Sequence, residues 1–235
     1  GSVVTGTSSA GPFGTGSINV RPAAALDLNG STITNALTLN GAGWGGNGAL
    51  INTNASAATE SGAITIAADS AFGGTGAMTT SGVISASTYN VSFVNGADVT
   101  AQNTGNTISS VTITNSDVKL KTASALTVNA SSLTGSSTLQ TVAADKDITI
   151  SGAITNNTNA NTLTLMAARD INVNANISSA AGKSLNTYFY ANTDNNGSGG
   201  YVQTSAISTY GGHVVYAPVA HAHKLPYVPV AKALG

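Results

Sequence analysis

Two short runs in this chain match each other at an offset of 23 residues. Asp147-Ile148-Thr149-Ile150-Ser151-Gly152-Ala153-Ile154 is followed by Asp170-Ile171-Asn172-Val173-Asn174-Ala175-Asn176-Ile177, apolar on apolar and polar on polar. A helix repeats its apolar face every three to four residues, whereas the apolar residues here alternate, so each run reads as a strand. Thr162-Leu163-Thr164-Leu165 lies between them and reads the same way. Short strands recurring every twenty-odd residues mark a solenoid, and a parallel β-helix with one coil per period of about 22–23 residues is the expected form.

The period extends beyond this pair. Leu126-Thr127-Val128-Asn129 lies 22 residues before Ile148, and Met78 to Ile84 fits the same template three coils earlier. Val91-Ser92-Phe93, Val111-Thr112-Ile113 and Val118-Lys119-Leu120 supply strands between them. Upstream, Ser17–Val20, Ala25–Leu28, Thr32–Thr34 and Leu37–Asn40 alternate likewise, separated by turn signals such as Asn29-Gly30. Further strands are expected at Ala49–Ile51, Ile64–Ile66 and Ala77–Ile84. At this period 235 residues make roughly ten coils, about 50 Å of stack at about 4.8 Å per strand.

Only 7% of the residues are charged, against about 25% in ordinary domains, and Gly, Ser, Thr, Asn and Ala take up the difference. Disordered chains lack patterned apolar content, and 41% hydrophobic residues in alternating strands argue for a folded chain. Net charge is −1 with the eight basic residues scattered, so no stripe exists to neutralise phosphates and nucleic-acid binding is not expected. No run of 18 apolar residues suggests a membrane span. Cysteine is absent, which excludes disulfides and cysteine-held zinc and suits a chain exported unfolded through an oxidising periplasm. Gly1-Ser2 reads as a vector remnant, and the natural protein is expected to extend beyond both ends.

Residues 11–85, "GPFGTGSINV…LDLNGSTITNALTLNGAGWGGNGALINT…SGAITIAADSAFGGTGAMTTSGVIS", resemble the strand repeats of bacterial autotransporter passenger domains. Residues 147–215, "DITISGAI…TLTLMAARDINVNANISS…NTDNNGSGGYVQTSAISTYGGHV", resemble the repeats of filamentous-haemagglutinin-type adhesins secreted by the two-partner route. The resemblance implies a right-handed parallel β-helix, secreted or displayed on a Gram-negative cell surface after passing an outer-membrane translocator. A surface receptor, a glycan or neighbouring copies of the chain are the partners it implies. The amino-terminal secretion domain and carboxy-terminal barrel that would separate the two routes are not in this sequence.

The expected organisation is a repeat region over 1–216 and a tail, cap or linker over 217–235, where Pro218, Pro226 and Pro229 interrupt any ladder. Six of seven tyrosines (Tyr188, Tyr190, Tyr201, Tyr210, Tyr216, Tyr227) and all three histidines fall after residue 187, and this aromatic end is expected to close the stack. Asp194 to Gly200 reads as a long exposed turn.

No residue set is assigned to catalysis, cofactor or metal. Gly41-Ala42-Gly43-Trp44-Gly45-Gly46 fits G-x-G-x-x-G, but a turn and a strand follow where a dinucleotide site needs a helix, so it reads as a corner. His213, His221 and His223 lack a neighbouring acid or cysteine and read as solvated. Asp145-Lys146-Asp147 is the one local pair of carboxylates, as glycoside hydrolysis would need, and reads as a solvated corner closed by Lys146. Gly73-Gly74-Thr75-Gly76 lacks the aspartate of a calcium-binding repeat. Asn29, Asn54, Asn90, Asn129, Asn156, Asn176 and Asn196 head Asn-x-Ser/Thr triplets, which an Asn- and Ser/Thr-rich chain yields by chance. The expected function is a non-enzymatic rod segment of a large secreted adhesin or filament. The alternatives are the stalk of a contact-dependent toxin-delivery protein and a carbohydrate-active β-helix enzyme.

Overall fold

The computed structural model describes residues 3–5, 13–96 and 98–218. They form a nearly all-β parallel solenoid of about eight turns. The only helix among them is one 3-10 turn at Trp44–Gly46. Strands Leu126–Val128, Ile148–Ile150, Ile171–Val173 and Tyr201–Gln203 stack in parallel, one per coil. The 23-residue register holds at the central pair: Ile148 stacks on Ile171, Ile150 on Val173 and Ile154 on Ile177. All six side chains are buried, while their outward neighbours Thr149 and Asn172 are partly exposed. Alternate side chains of a strand take opposite faces, and here one face is the interior of the coil.

Three expectations need correction. Met78–Thr80 fits the template of Ile148 but does not share its column, because Met78 pairs with Ala58 and Val99 on a different face of the coil. What the template encodes is a strand, a tight Ser-Gly turn and a second strand. A Cβ on Gly82 would lie 1.8 Å from the Gly62 carbonyl oxygen, and one on Gly152 would lie 2.0 Å from the Ala130 nitrogen. Only glycine lets coils approach that closely, at either place. For the same reason Ala77 to Ile84 is not one strand but two, Met78–Thr80 and Ile84–Ala86. The coils are also unequal in length rather than uniform. The paired residues Ser110 and Thr127 are 17 apart, whereas Leu37 and Ile64 are 27 apart and Ile171 and Tyr201 are 30 apart. The two long coils carry the Gly41–Gly48 and Asp194–Gly200 insertions.

The interior is columnar. Leu26, Leu50, Phe72, Phe93 and Ile113 lie one above another, with the two phenylalanine rings 5.7 Å apart. Polar side chains enter the interior where the coil bends, and most bond backbone groups of their own or a neighbouring coil. Asn52 Nδ2 donates to the carbonyls of Ser56 and Ala77, and its Oδ1 accepts from Gly30 N. Thr141 Oγ1 donates to Lys146 O and accepts from Ala168 N. Such bonds replace water for backbone groups that a tight corner leaves unpaired.

At the carboxy-terminal end Tyr188, Tyr190, Tyr201 and Tyr216 form part of further rungs, while Tyr210 lies in an exposed turn. Tyr201 pairs with Ile171 and Tyr216 with Phe189, and the Tyr201 hydroxyl donates to Phe189 O at 2.9 Å. The last described strand, Val214–Pro218, includes Ala217 and Pro218 and stacks on Leu185–Ala191. Residues 219–235, with His221, His223, Pro226, Tyr227 and Pro229, lie outside the described residues, as do Gly1 and Ser2.

Candidate functional site

The surface feature that departs most from the repeat is the Gly41–Gly48 insertion. Along most of the stack the outward residues of a strand are partly exposed, but Ala25–Asp27 and Leu50–Asn52 are buried on both faces. Of their outward residues, Ala25 and Ile51 are apolar and Asp27 is charged, and the insertion lies against Ile51: a Cβ on Gly48 would fall 2.7 Å from the Ile51 methyl. Gly43, Gly45, Gly46 and Gly48 all have positive φ, a backbone that side chains rarely adopt. Gly46 N and Asn47 N bond back to Gly43 O and Trp44 O, and Gly48 N bonds to Ala42 O. A Cβ on Gly73 in the next coil would lie 2.0 Å from Asn47 O. One coil further on, Asn95 Nδ2 donates to Asn47 Oδ1 at 2.7 Å, reaching across the coil where Gly73 and Gly74 lack side chains.

Trp44, the one tryptophan of the chain, is left 55% exposed on this pinned turn. It borders a groove of about 340 Å³ with Ala25 and Ile51 on its floor and Asp27, Asn47, Thr53, Thr75 and Asn95 around it. Asp27 is fixed by bonds from Asn29 N, Thr53 N and the Thr53 hydroxyl. No Lys, Arg or His lines the groove.

The Asp145–Asp147 corner is closed by Arg169 from the next coil rather than by Lys146. Arg169 Nε and Nη2 donate to the two Asp147 oxygens at 2.7 and 2.6 Å, and Asp170 Oδ2 lies 3.4 Å from Arg169 Nε. Burial alone would raise the Asp147 carboxyl. The Arg169 bonds, the Asp170 N–H and the nearby positive charges outweigh it and hold the carboxyl below its ordinary value. Burial, with the Asp147 charge beside it, pushes Asp170 up against the Gly200 N–H bond. Asp147 accepts Asp170 N and Asp170 accepts Gly200 N, so each carboxylate holds the start of the strand above it. Asp145 is exposed and accepts from Asn196 Nδ2. These groups stitch coils together. Among the described residues no group of three acids or histidines is placed to hold a metal ion.

The outer turns carry a polar ladder of the same kind. Asn90 Oδ1 accepts from Ser110 Oγ and Asn129 Nδ2, and Ser151 Oγ donates to Asn129 Oδ1. Of the triplet asparagines, Asn156 is fully buried with its amide bonded inside the coil, while Asn176 and Asn196 are exposed. His213 is exposed. Sequence reasoning set the Gly41–Gly46 stretch aside once the dinucleotide reading failed. The available signal was a lone tryptophan among five glycines between two strands. No family model matches the chain, and neither a curated protein nor a solved structure matches it.

Proposed function

We propose that the chain is a non-enzymatic rod segment of a large secreted adhesin or surface filament, displayed outside a Gram-negative cell. The observation that carries this is the uninterrupted parallel stack, whose charged and amide side chains bond from coil to coil. A solenoid built from neighbour contacts gains length by adding coils, and its small polar outer residues give a repetitive surface for adhesion. The stalk of a toxin-delivery protein would use the same stack.

The test uses antibody against this segment on the cells that make the protein. Surface labelling of intact cells, with weaker attachment after deletion of the coding region, is expected. Labelling only after lysis would refute the location. Surface labelling with unchanged attachment and lost killing of neighbouring cells would favour the stalk.

A further inference from the structure

We infer that the groove beside Trp44 binds a neutral sugar ring, the indole stacking on the apolar face of a pyranose and the surrounding amides and hydroxyls taking its OH groups. The proposal deepens the adhesive reading by naming a ligand class for one place on the rod.

Three observations converge on it. The first is that the tryptophan is held out rather than left loose. Four positive-φ glycines, three backbone bonds within the turn and the Asn47–Asn95 bond fix the loop, yet Trp44 stays more than half exposed. An aromatic face pre-set in this way loses little freedom on binding. The second is composition. The groove offers an apolar floor at Ala25 and Ile51 with Asn47, Thr53, Thr75 and Asn95 at its edges. An apolar surface with a few placed polar groups suits a ligand that has one C–H face and a rim of hydroxyls. The third is charge. Asp27 is the one ionisable group in the lining and no cation accompanies it, so sulfated, sialylated or uronic sugars would meet only a carboxylate. The loop's Gly46, Asn47 and Gly48 N–H groups are already bonded within the turn, so they are not free to pair with an added peptide strand.

Because Trp44 is the only tryptophan, its fluorescence reports this site alone. The isolated chain is titrated with lactose, cellotriose, chitotriose and maltotriose, and with a heparin tetrasaccharide as the anionic arm. A saturable change with at least one neutral sugar is expected at a Kd of about 1 mM or below, the scale of one stacked ring. Saturation-transfer NMR with the same sugar should lose its signal in Trp44→Ala, retain it in Trp44→Tyr, and weaken at least fivefold in Asn95→Ala. Circular dichroism should be unchanged in all three. No response to any neutral sugar, a response to the heparin fragment alone, or full NMR transfer in Trp44→Ala would overturn the proposal. Because the measurement is made on the purified chain, such a failure leaves the surface-labelling result standing.

Discussion

Ile171→Asp is expected to unfold the coils around residue 171, while Asn172→Asp, one position along, changes stability by less than about 0.5 kcal/mol. Ile171 is fully buried between Ile148 below and Tyr201 above. Replacing it forfeits about 1.5–3 kcal/mol of apolar burial. It also places a carboxyl in a column with no partner, at a further cost of several kcal/mol. Together these approach the whole stability of an ordinary domain, about 5–15 kcal/mol. Asn172 faces outward and is partly exposed, so its new charge stays solvated. Coils touch mainly their neighbours, so damage should spread through the coils of Ile148 and Tyr201 and leave residues 13–85 protected. Hydrogen exchange on both variants reads this directly. Equal loss of protection from the two would refute the register.

The second large effect is a gain. Glu60 lies in the strand Ala58–Glu60, stacked between Ile33 and Thr80, and is fully buried. Its Oε1 accepts from Gly62 N, but Oε2 is buried with no hydrogen-bond partner, as is Thr80 Oγ1. Burial pushes its carboxyl from the ordinary 4.5 up to about 8, against the Gly62 bond that lowers it. Below pH 4.5 both folded and unfolded chains hold the proton and no penalty exists. Between 4.5 and 8 the unfolded chain releases a proton that the folded chain keeps, so stability falls as pH rises; above 8 the loss is constant. At pH 7 the penalty is about 3 kcal/mol, from about 1.4 kcal/mol per unit over some 2.5 units. Glu60→Gln keeps the shape and removes the titration. It should match the parent at pH 4 and exceed it by about 3 kcal/mol at pH 7 in denaturant unfolding. The other carboxylates are common to both proteins and cancel in the difference. An unchanged gap between the two proteins from pH 4 to 8 would contradict a buried, neutral Glu60.

The parts of this fold legible in the sequence are those where the interior is aliphatic. Ile148, Ile150, Ile171 and Val173 alternate cleanly, and their register follows from the spacing alone. Strands such as Ser131–Leu133 and Ser137–Thr141 show weak alternation, because Ser131, Ser137 and Thr141 are themselves buried. Their hydroxyls bond backbone: Ile113 N donates to Ser131 Oγ and Val118 N to Ser137 Oγ. A pattern that counts only apolar residues misses such strands. Coil length was equally hidden, since insertions at Gly41–Gly48 and Asp194–Gly200 leave the stacked strands unchanged. The partner of Asp147 is 22 residues away in sequence and one coil away in space. The 23-residue offset, which sets Asp170 over Asp147, contained that pairing. The Trp44 groove depends on a loop folding back over its own sheet, which no period describes.

The central claim is parallel, in-register stacking of successive coils, and engineered cross-links test it most directly. The chain has no cysteine, so any disulfide reports only the introduced pair. Thr149 and Asn172 are register partners on the outer face. Adjacent strands lie about 4.8 Å apart, inside the Cα separations of about 4.4–6.8 Å that a disulfide spans. Moving one partner two residues along the chain, to Asn174 just past the end of its strand, takes it to about 8 Å, beyond that reach. The double variant Thr149→Cys/Asn172→Cys is therefore expected to oxidise within the monomer nearly completely. Thr149→Cys/Asn174→Cys should remain reduced under the same conditions. Failure of the first pair to close, or equal closure of both, would contradict the stacked-coil structure.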